Sequence, residues 1–157
     1  MNVIVLDTET TNSLEEPIAY DIGWAVINLE TEEVLKTESY AIAEIFLDKE
    51  LMSCAFFADK IPSYWEEIKN GSRKLARLST IHRTLVNDCK AYGVKEIYAH
   101  NAIFDNRSCN LTQRYITGSK YRYFFPYGTC VCDTLKMARQ ASKMTMTMED
   151  FVMKMTT

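Results

Sequence analysis

Residues 2–11 read NVIVLDTETT, and the predicted fold is built outward from this stretch. The apolar run at 3–6, bounded by polar residues, predicts a fully buried strand. Asp7 and Glu9 follow at a spacing of two, which places both carboxylates on the same face of a strand. Two such charges repel unless a cation lies between them, and hard divalent cations such as Mg²⁺ prefer oxygen ligands. The pattern also fits a simpler interpretation, in which Asp7 caps the strand end and Glu9 is solvated.

The composition is that of one globular domain, spanning residues 1–157. Its hydrophobic content of 47% is sufficient for a proper core. No apolar run approaches the ~20 residues of a membrane span, and no basic segment precedes an apolar one at the N-terminus. We therefore expect no membrane partner and a cytoplasmic location. The net charge of −3 argues against a large DNA-binding face, but a small pocket can hold an anionic substrate through metal ions.

The five cysteines indicate a reducing compartment, because an odd count does not complete a disulfide framework. Cys130 and Cys132 form a Cys-x-Cys pair. A structural zinc site usually needs two ligand pairs, and the only histidines, His82 and His100, lie far off in sequence. Structural zinc is therefore not expected.

Beyond residue 11 the hydrophobic pattern predicts alternating strands and helices. The predicted strands lie at residues 18–29, 34–43, 95–99 and 129–133. The predicted helices lie at residues 64–69, 73–92, 102–115, 134–140 and 148–155, with a linker at 141–147. The first three strands are joined by short turns, which predicts an antiparallel meander.

Asp105 lies in the first turn of the helix predicted at 102–115, where Asn101 is a good N-cap. A negative charge is favoured near this end of the helix dipole. One interpretation of Asp105 is therefore a plain first-turn acid, and Phe104 is interpreted as a core anchor.

Residues 120–126, KYRYFFP, interleave aromatic and basic side chains. Such a stretch can form a stacking platform for single-stranded bases. It can also be partly buried packing with cations that reach solvent along its edge. We favour packing.

Three motifs occur in order along the chain: DTETT at 7–11, HNAIFD at 100–105 and DTLKMAR at 133–139. They resemble the D-x-E-T-T, H-N-A-x-F-D and D-T-L-x-x-A-R segments of the DEDD superfamily of 3′–5′ exonucleases. That group includes the proofreading subunit of bacterial DNA polymerase III, ribonuclease T and oligoribonuclease. The resemblance covers residues 2–139 and implies an α/β, ribonuclease H-like fold, with a mixed sheet flanked by helices. It also implies hydrolysis of phosphodiester bonds in DNA or RNA from the 3′ end.

The same resemblance implies that Asp7, Glu9 and Asp105 are catalytic metal ligands. Carboxylates suit Mg²⁺ or Mn²⁺. Two such ions about 4 Å apart can activate a water, orient the scissile phosphate and stabilise the leaving oxygen.

Thr10, Asn101 and Phe104 form the implied substrate side of the site. Thr10 and its backbone would contact the 3′-terminal nucleotide, Asn101 would fix the helix that delivers Asp105, and Phe104 would pack beneath. The implied partner is the 3′ end of single-stranded DNA or RNA. A second copy of the chain and a polymerase-type protein are the protein partners that the resemblance brings into consideration.

The family's third motif, H-x(4)-D or Y-x(3)-D, supplies a fourth acid and a general base, and it has no counterpart here. No histidine follows His100, and no tyrosine follows Tyr127. Asp150 better matches the short family helix that precedes the third motif, and Asp133 belongs to the D-T-L segment, where a structural role is expected. We therefore expect a domain that stops before its last motif and has little or no activity.

Two other functions fit the same residues. One is a catalytically dead nuclease-like module that binds single-stranded nucleic acid or a protein partner. The other is a metal-dependent phosphohydrolase of small phosphate esters.

Overall fold

The apolar run of residues 3–6 lies in the middle of a six-stranded mixed sheet, whose strand order is β4-β3-β2-β1-β5-β6. The computed structural model describes residues 1–120 and 123–143. The strands are β1 (Asn2–Asn12), β2 (Pro17–Asn28), β3 (Glu33–Ile42), β4 (Lys74–Ala76), β5 (Glu96–Ala99) and β6 (Cys130–Asp133). The helices are α1 (Ala43–Phe46), α2 (Lys49–Met52), α3 (Ile61–Asn70), α4 (Leu78–Tyr92) and α5 (Ala102–Thr117), with a 3₁₀ turn at Ala58–Lys60. Residues 134–143 are also helical. This arrangement confirms the predicted α/β fold class.

Strands β1, β2 and β3 form the predicted antiparallel meander. The prediction of a fully buried strand at residues 3–6 is wrong at Val5, while Val3 is buried. Ile4 and Leu6 are buried on the face opposite to that of Val5, which is 42% exposed. Asp7 is exposed as well. The face of β1 is open to solvent at Val5 and Asp7, and the Asp7 carboxylate lies at the surface for that reason.

The remaining strands are parallel to their neighbours, because each arrives through a helical crossover. β5 pairs with β1, and β6 pairs with β5. β5 meets β1 only at Ile4 and Val5. Beyond Val5, this edge of β1 is therefore not paired with β5.

Helices α4 and α5 cover the face of the sheet on which Ile4 and Leu6 lie. Trp24 on β2 donates from Nε1 to Asp88 Oδ2 on α4 at 2.9 Å. The Lys36 ammonium on β3 lies 2.6 Å from the other oxygen of Asp88. The backbone N–H of Ala19 donates to Thr112 Oγ1 on α5 at 2.8 Å. Buried polar groups thus help to fix both helices on this face.

The helix predicted from residue 73 begins at Leu78 instead. Residues 74–76 form β4, parallel to the end of β3. Leu75 packs against the core from this strand, so its apolar side chain fits the helical spacing without belonging to the helix. Likewise, residues 141–143 are helical and not a linker. The helix predicted at 148–155, with Asp150, lies outside the described residues.

Among the described helices, none has both the length and the apolar composition that a bilayer crossing requires.

Candidate active site

The first turn of α5 packs against β1 at Thr8. Thr8 Oγ1 donates a hydrogen bond to Asp105 Oδ1 at 2.8 Å. The Ser108 hydroxyl lies 3.3 Å from the Thr8 hydroxyl and donates to the Asp105 backbone oxygen at 3.0 Å. Thr8 stands between Asp7 and Glu9 in the sequence, so the structure brings Asp105 to the strand segment that carries the other two acids.

Asn101 sets the position of α5 by a different bond from the one predicted. It adopts the left-handed conformation with φ of 63°, and its side chain makes no capping hydrogen bond within the described residues. Its backbone N–H donates to Asp133 Oδ1 at 3.2 Å. Asp133 also accepts from the Leu135 N–H at 2.9 Å. Asp133 therefore joins the start of α5 to the end of β6, which agrees with the structural role expected for it.

Asp105 is a buried carboxyl, with 3% of its surface exposed. Burial raises its pKa to about 6. The Thr8 hydrogen bond opposes this rise, and the nearby charge of Asp7 adds to it. Asp105 consequently carries a proton more readily than an ordinary aspartate and is costly to ionise in the folded protein.

Glu9 is half-buried, and its Oε1 lies 4.0 Å from Lys60 Nζ. Partial burial raises the pKa of Glu9. The Lys60 ammonium opposes this rise, while the charges of Asp7 and Asp21 add to it. Asp7 therefore acts electrostatically on both Glu9 and Asp105, and a bound cation would offset that repulsion.

Asp21 is a fourth acid near the site, which the sequence reasoning missed. It is directly opposite Glu9 in the β1–β2 register. Tyr64 Oη donates to Asp21 Oδ2 at 2.7 Å, and Arg73 forms a salt bridge with Oδ1. The available signal was an acidic residue inside the apolar run of residues 18–27. Because Tyr64 and Arg73 already bind its carboxylate, Asp21 connects the segment of residues 43–73 to the sheet.

An aromatic and cationic cluster, formed by Phe56, Phe57 and Lys60, adjoins Glu9, whereas Trp65 packs against Phe46. Phe57 is 56% exposed, and Lys60 Nζ lies 4.4 Å from the centre of its ring. Phe56 and Trp65 are also exposed. Thr10 holds this segment, because its backbone oxygen accepts from the Phe56 N–H at 3.0 Å. The sequence reasoning missed the cluster, although two adjacent phenylalanines followed closely by Lys60 were a usable signal.

Phe104 is half-buried and lies outside the main apolar cluster of the described residues, so its interpretation as a core anchor is wrong. The Phe104 N–H donates to the Asn101 carbonyl at 2.8 Å, as the first turn of the helix requires. The predicted substrate contacts of Thr10, Asn101 and Phe104 stay predictions.

The acids fit a hard divalent cation by the chemistry of their oxygen donors. Their side chains do not form a complete set of ligands for one ion. In residues 1–120 and 123–143, no three His, Cys, Asp or Glu side chains are placed to hold one ion together. Because Asp7 is exposed, its side chain can turn without disturbing the core. The convergence of Asp7, Glu9 and Asp105 on one ion stays a prediction.

The aromatic and basic stretch at 120–126 divides into two parts. Phe124 is fully buried, and its N–H donates to Asn110 Oδ1 at 2.8 Å, which confirms packing for this residue. Tyr123 and Tyr127 are exposed and line a cavity of about 900 Å³ between α4, α5 and β6. Tyr121 and Arg122 lie outside the described residues.

No protein-family model matches the chain, and no curated protein matches it significantly. Solved structures do match. The nuclease domain of 3′hExo, a DEDDh family member bound to rAMP, aligns with a TM-score of 0.50 at 12% identity over 78% of this chain. The metal-free E. coli ExoI–ssDNA complex aligns with a TM-score of 0.53 at 10% identity over 88% of this chain. Exonuclease I from Methylocaldum szegediense aligns with a TM-score of 0.51 at 11% identity over 88%.

The chain spans 62% of the 3′hExo domain and 29% and 28% of the two exonuclease I chains. Identities of 10–12% bear on the backbone arrangement alone. The mixed six-stranded sheet flanked by helices is the fold of these exonuclease domains.

Proposed function

We propose that the chain is a metal-dependent 3′–5′ exonuclease domain that hydrolyses phosphodiester bonds in DNA or RNA. The observation that carries this proposal is the hydrogen bond between Thr8 and Asp105. It places a buried acid from α5 against the residue between Asp7 and Glu9, on a fold shared with exonuclease domains. This contact supports the assignment of Asp7, Glu9 and Asp105 to one site.

Asp7, Glu9 and Asp105 would hold Mg²⁺ or Mn²⁺ in this proposal. Bound divalent ions would supply a nucleophilic water and stabilise the leaving oxygen. The protein's own part is to keep three carboxylates close together in spite of their repulsion. The Thr8 hydrogen bond favours the ionised form of Asp105, which is the form that binds a cation.

The aromatic and cationic cluster beside Glu9 is suited to the end of a single strand. Exposed Phe57 offers a ring on which a base can stack. Lys60 lies between the Phe57 ring and Glu9, where its ammonium can contact a phosphate. The ring face and the cation suit single-stranded DNA and RNA equally.

The test is a gel assay with 5′-labelled single-stranded DNA and RNA in Mn²⁺. We expect a ladder of products shortened from the 3′ end that forms slowly. Asp7→Asn is expected to abolish it, while Glu66→Gln, at an exposed position on α3, leaves it unchanged. A ladder of equal intensity from Asp7→Asn would refute the assignment of Asp7.

A nucleic-acid-binding module without catalysis is the second candidate. It is favoured by the lack of a three-ligand metal arrangement in the described part of the chain. Oligonucleotide binding that is equal in wild type and Asp7→Asn, with no product from either, would support it. Hydrolysis of a mononucleotide ester with intact oligonucleotide would instead support a phosphohydrolase of small phosphate esters.

A further inference from the structure

Two cysteine thiols lie side by side on the outer strand of the sheet, away from the acidic site. Cys130 and Cys132 alternate along β6, so both point to the same face. Their sulfur atoms are 4.0 Å apart. Cys130 is exposed and Cys132 is half-buried. This pair is accessible from solvent and has no part in the proposed nuclease chemistry.

The geometry of the pair does not suit a disulfide. A disulfide needs sulfur atoms at about 2.04 Å and Cα atoms usually within about 6.8 Å. Residues two apart on an extended strand are separated by about 6.6–6.8 Å, at the upper limit of that range. The observed separation of 4.0 Å instead leaves room for one ion. An ion about 2.3 Å from each sulfur would subtend an angle of about 120°, as in trigonal coordination.

We propose that Cys130 and Cys132 form a bidentate thiolate site for a soft metal ion of the copper(I) class. Thiolates select such ions over hard ones. Zinc would require a fuller ligand set, and the described residues offer no third His, Cys, Asp or Glu for an ion here. The third position of the trigonal ion faces solvent and takes a small exogenous thiol. Binding releases the two thiol protons to solvent, and the ion forms two metal–sulfur bonds in their place.

Two residues on β5 form the floor of this site. Glu96 is opposite Cys130, and Tyr98 is opposite Cys132. Tyr98 Oη donates to Glu96 Oε2 at 2.6 Å, which keeps this carboxylate engaged on β5. Burial and the neighbouring Cys130 raise the pKa of Cys132. The ion must therefore displace the proton of this thiol at neutral pH, and its affinity rises with pH.

The dithiol site adjoins the residue that positions α5. Cys132 directly precedes Asp133, whose carboxylate binds the Asn101 N–H. An ion that fixes the end of β6 would therefore also restrain the start of the helix that carries Asp105.

A dithiol reagent tests the geometry first. Phenylarsine oxide condenses with two neighbouring thiols, forming two arsenic–sulfur bonds and releasing one water. Cys54, Cys130 and Cys132 are the accessible thiols of the described residues. We expect the arsenical to protect two of the three from a colorimetric thiol reagent in the native protein. Cys54→Ser should retain both protected thiols, and Cys130→Ser should retain none. Protection that persists in Cys130→Ser would overturn the site.

Copper(I) itself is the second test, with glutathione present and a chromophoric chelator as competitor under anaerobic conditions. We expect one ion per chain, bound at least ten-fold more weakly by Cys130→Ser, with Cys54→Ser unchanged. Because Cys130 is exposed, its serine variant should fold, which circular dichroism checks. Equal copper affinity in wild type and Cys130→Ser would refute the proposal.

Discussion

Burial makes the negative charge of Asp105 costly in the folded protein. Its pKa is raised to about 6 from an ordinary value of 3.8. A carboxyl with a raised pKa binds its proton more tightly in the folded state, so this group favours folding at low pH. Its contribution to stability declines as the pH rises from about 4 to about 6. Above that window, ionised Asp105 costs about 2–3 kcal/mol.

Asp105→Asn should therefore stabilise the metal-free protein at pH 7.5, by about 1–2 kcal/mol. The amide keeps the shape of the side chain and can still accept from Thr8, but it carries no buried charge. At pH 4 the gain should be small, because wild-type Asp105 is then protonated. Urea unfolding at the two pH values measures both effects. An equal gain at the two pH values would contradict this account of the charge.

Asp7 is expected to determine metal binding. Mn²⁺ or Mg²⁺ should raise the Tm of the wild-type chain, since a ligand that binds only the folded state stabilises it. The rise should shrink strongly in Asp7→Asn, which has fewer charges to offset the dehydration of the ion. Thermal unfolding with and without Mn²⁺ measures both shifts. Identical shifts in the two proteins would remove Asp7 from the ligand set.

Among the elements, the segment of residues 43–73 depends on the pairing of Arg73 with Asp21. Arg73→Met leaves the buried Asp21 carboxylate without its cation, so we expect a loss of about 2–4 kcal/mol at pH 7.5. Burial already raises the pKa of Asp21, and Arg73 opposes that rise. Without Arg73 the pKa of Asp21 rises further, so protonation of Asp21 on acidification should recover part of the loss. Arg73→Lys is the control that keeps a cation, and a loss independent of pH would argue for lost packing instead.

The loop before β6 depends on Phe124. Phe124→Ala should cost about 3–5 kcal/mol, because it empties a fully buried position. Oligonucleotide affinity, measured at a temperature where the variant is folded, should change little. Tyr127→Ala is the matched control, since this ring is exposed and its loss should leave Tm unchanged. An unchanged Tm with reduced affinity in Phe124→Ala would support the stacking interpretation of this stretch.

The elements whose patterns depend on burial could be predicted from the sequence. The meander β1–β3 and the helix α4 turn apolar side chains to the core, and the spacing of these residues in the sequence shows it. The buried side of α5 includes Asp105, Ser108 and Thr112, and the start of this helix was indicated by Asn101. β4 could not be predicted, because a strand of three residues has too few positions to show a period. The position of β4 depends on its pairing with the end of β3. No local sequence pattern predicts that pairing.

At the candidate site, the acids of the motifs could be identified, but their partners could not. The motifs predicted that Asp105 lies near residues 7–9, but they did not predict its hydrogen bond with Thr8. The connection between Asp21, Tyr64 and Arg73 joins residues 43 and 52 positions apart, so it depends on tertiary structure. Asn101 was correctly placed at the start of α5, but its bond to Asp133 required the register of β6.

For the molecule as a whole, we expect the 157 residues to hydrolyse single strands slowly. A positioned general base contributes ~10²–10⁴ in rate, and neither histidine of the chain is a good replacement for one. His82 packs against Phe124, and His100 Nδ1 lies 3.2 Å from Thr134 Oγ1. Single-turnover assays with Mn²⁺ and Asp7→Asn measure the rate. Rapid digestion that Asp7→Asn abolishes would show that another residue acts as base, with Asp133 and Asp150 the first to test.

The order in which the sheet is completed has a consequence for synthesis of the chain. The meander pairs strands that are adjacent in sequence, whereas Asp105 reaches Thr8 across 97 residues. At about 5–20 residues per second, the free edge of β1 waits about 5–20 s for β5 and α5 to leave the ribosome. An unpaired strand edge is a template for association with other chains. The nascent protein is thus most prone to aggregate during this interval, along the same strand that later carries the site.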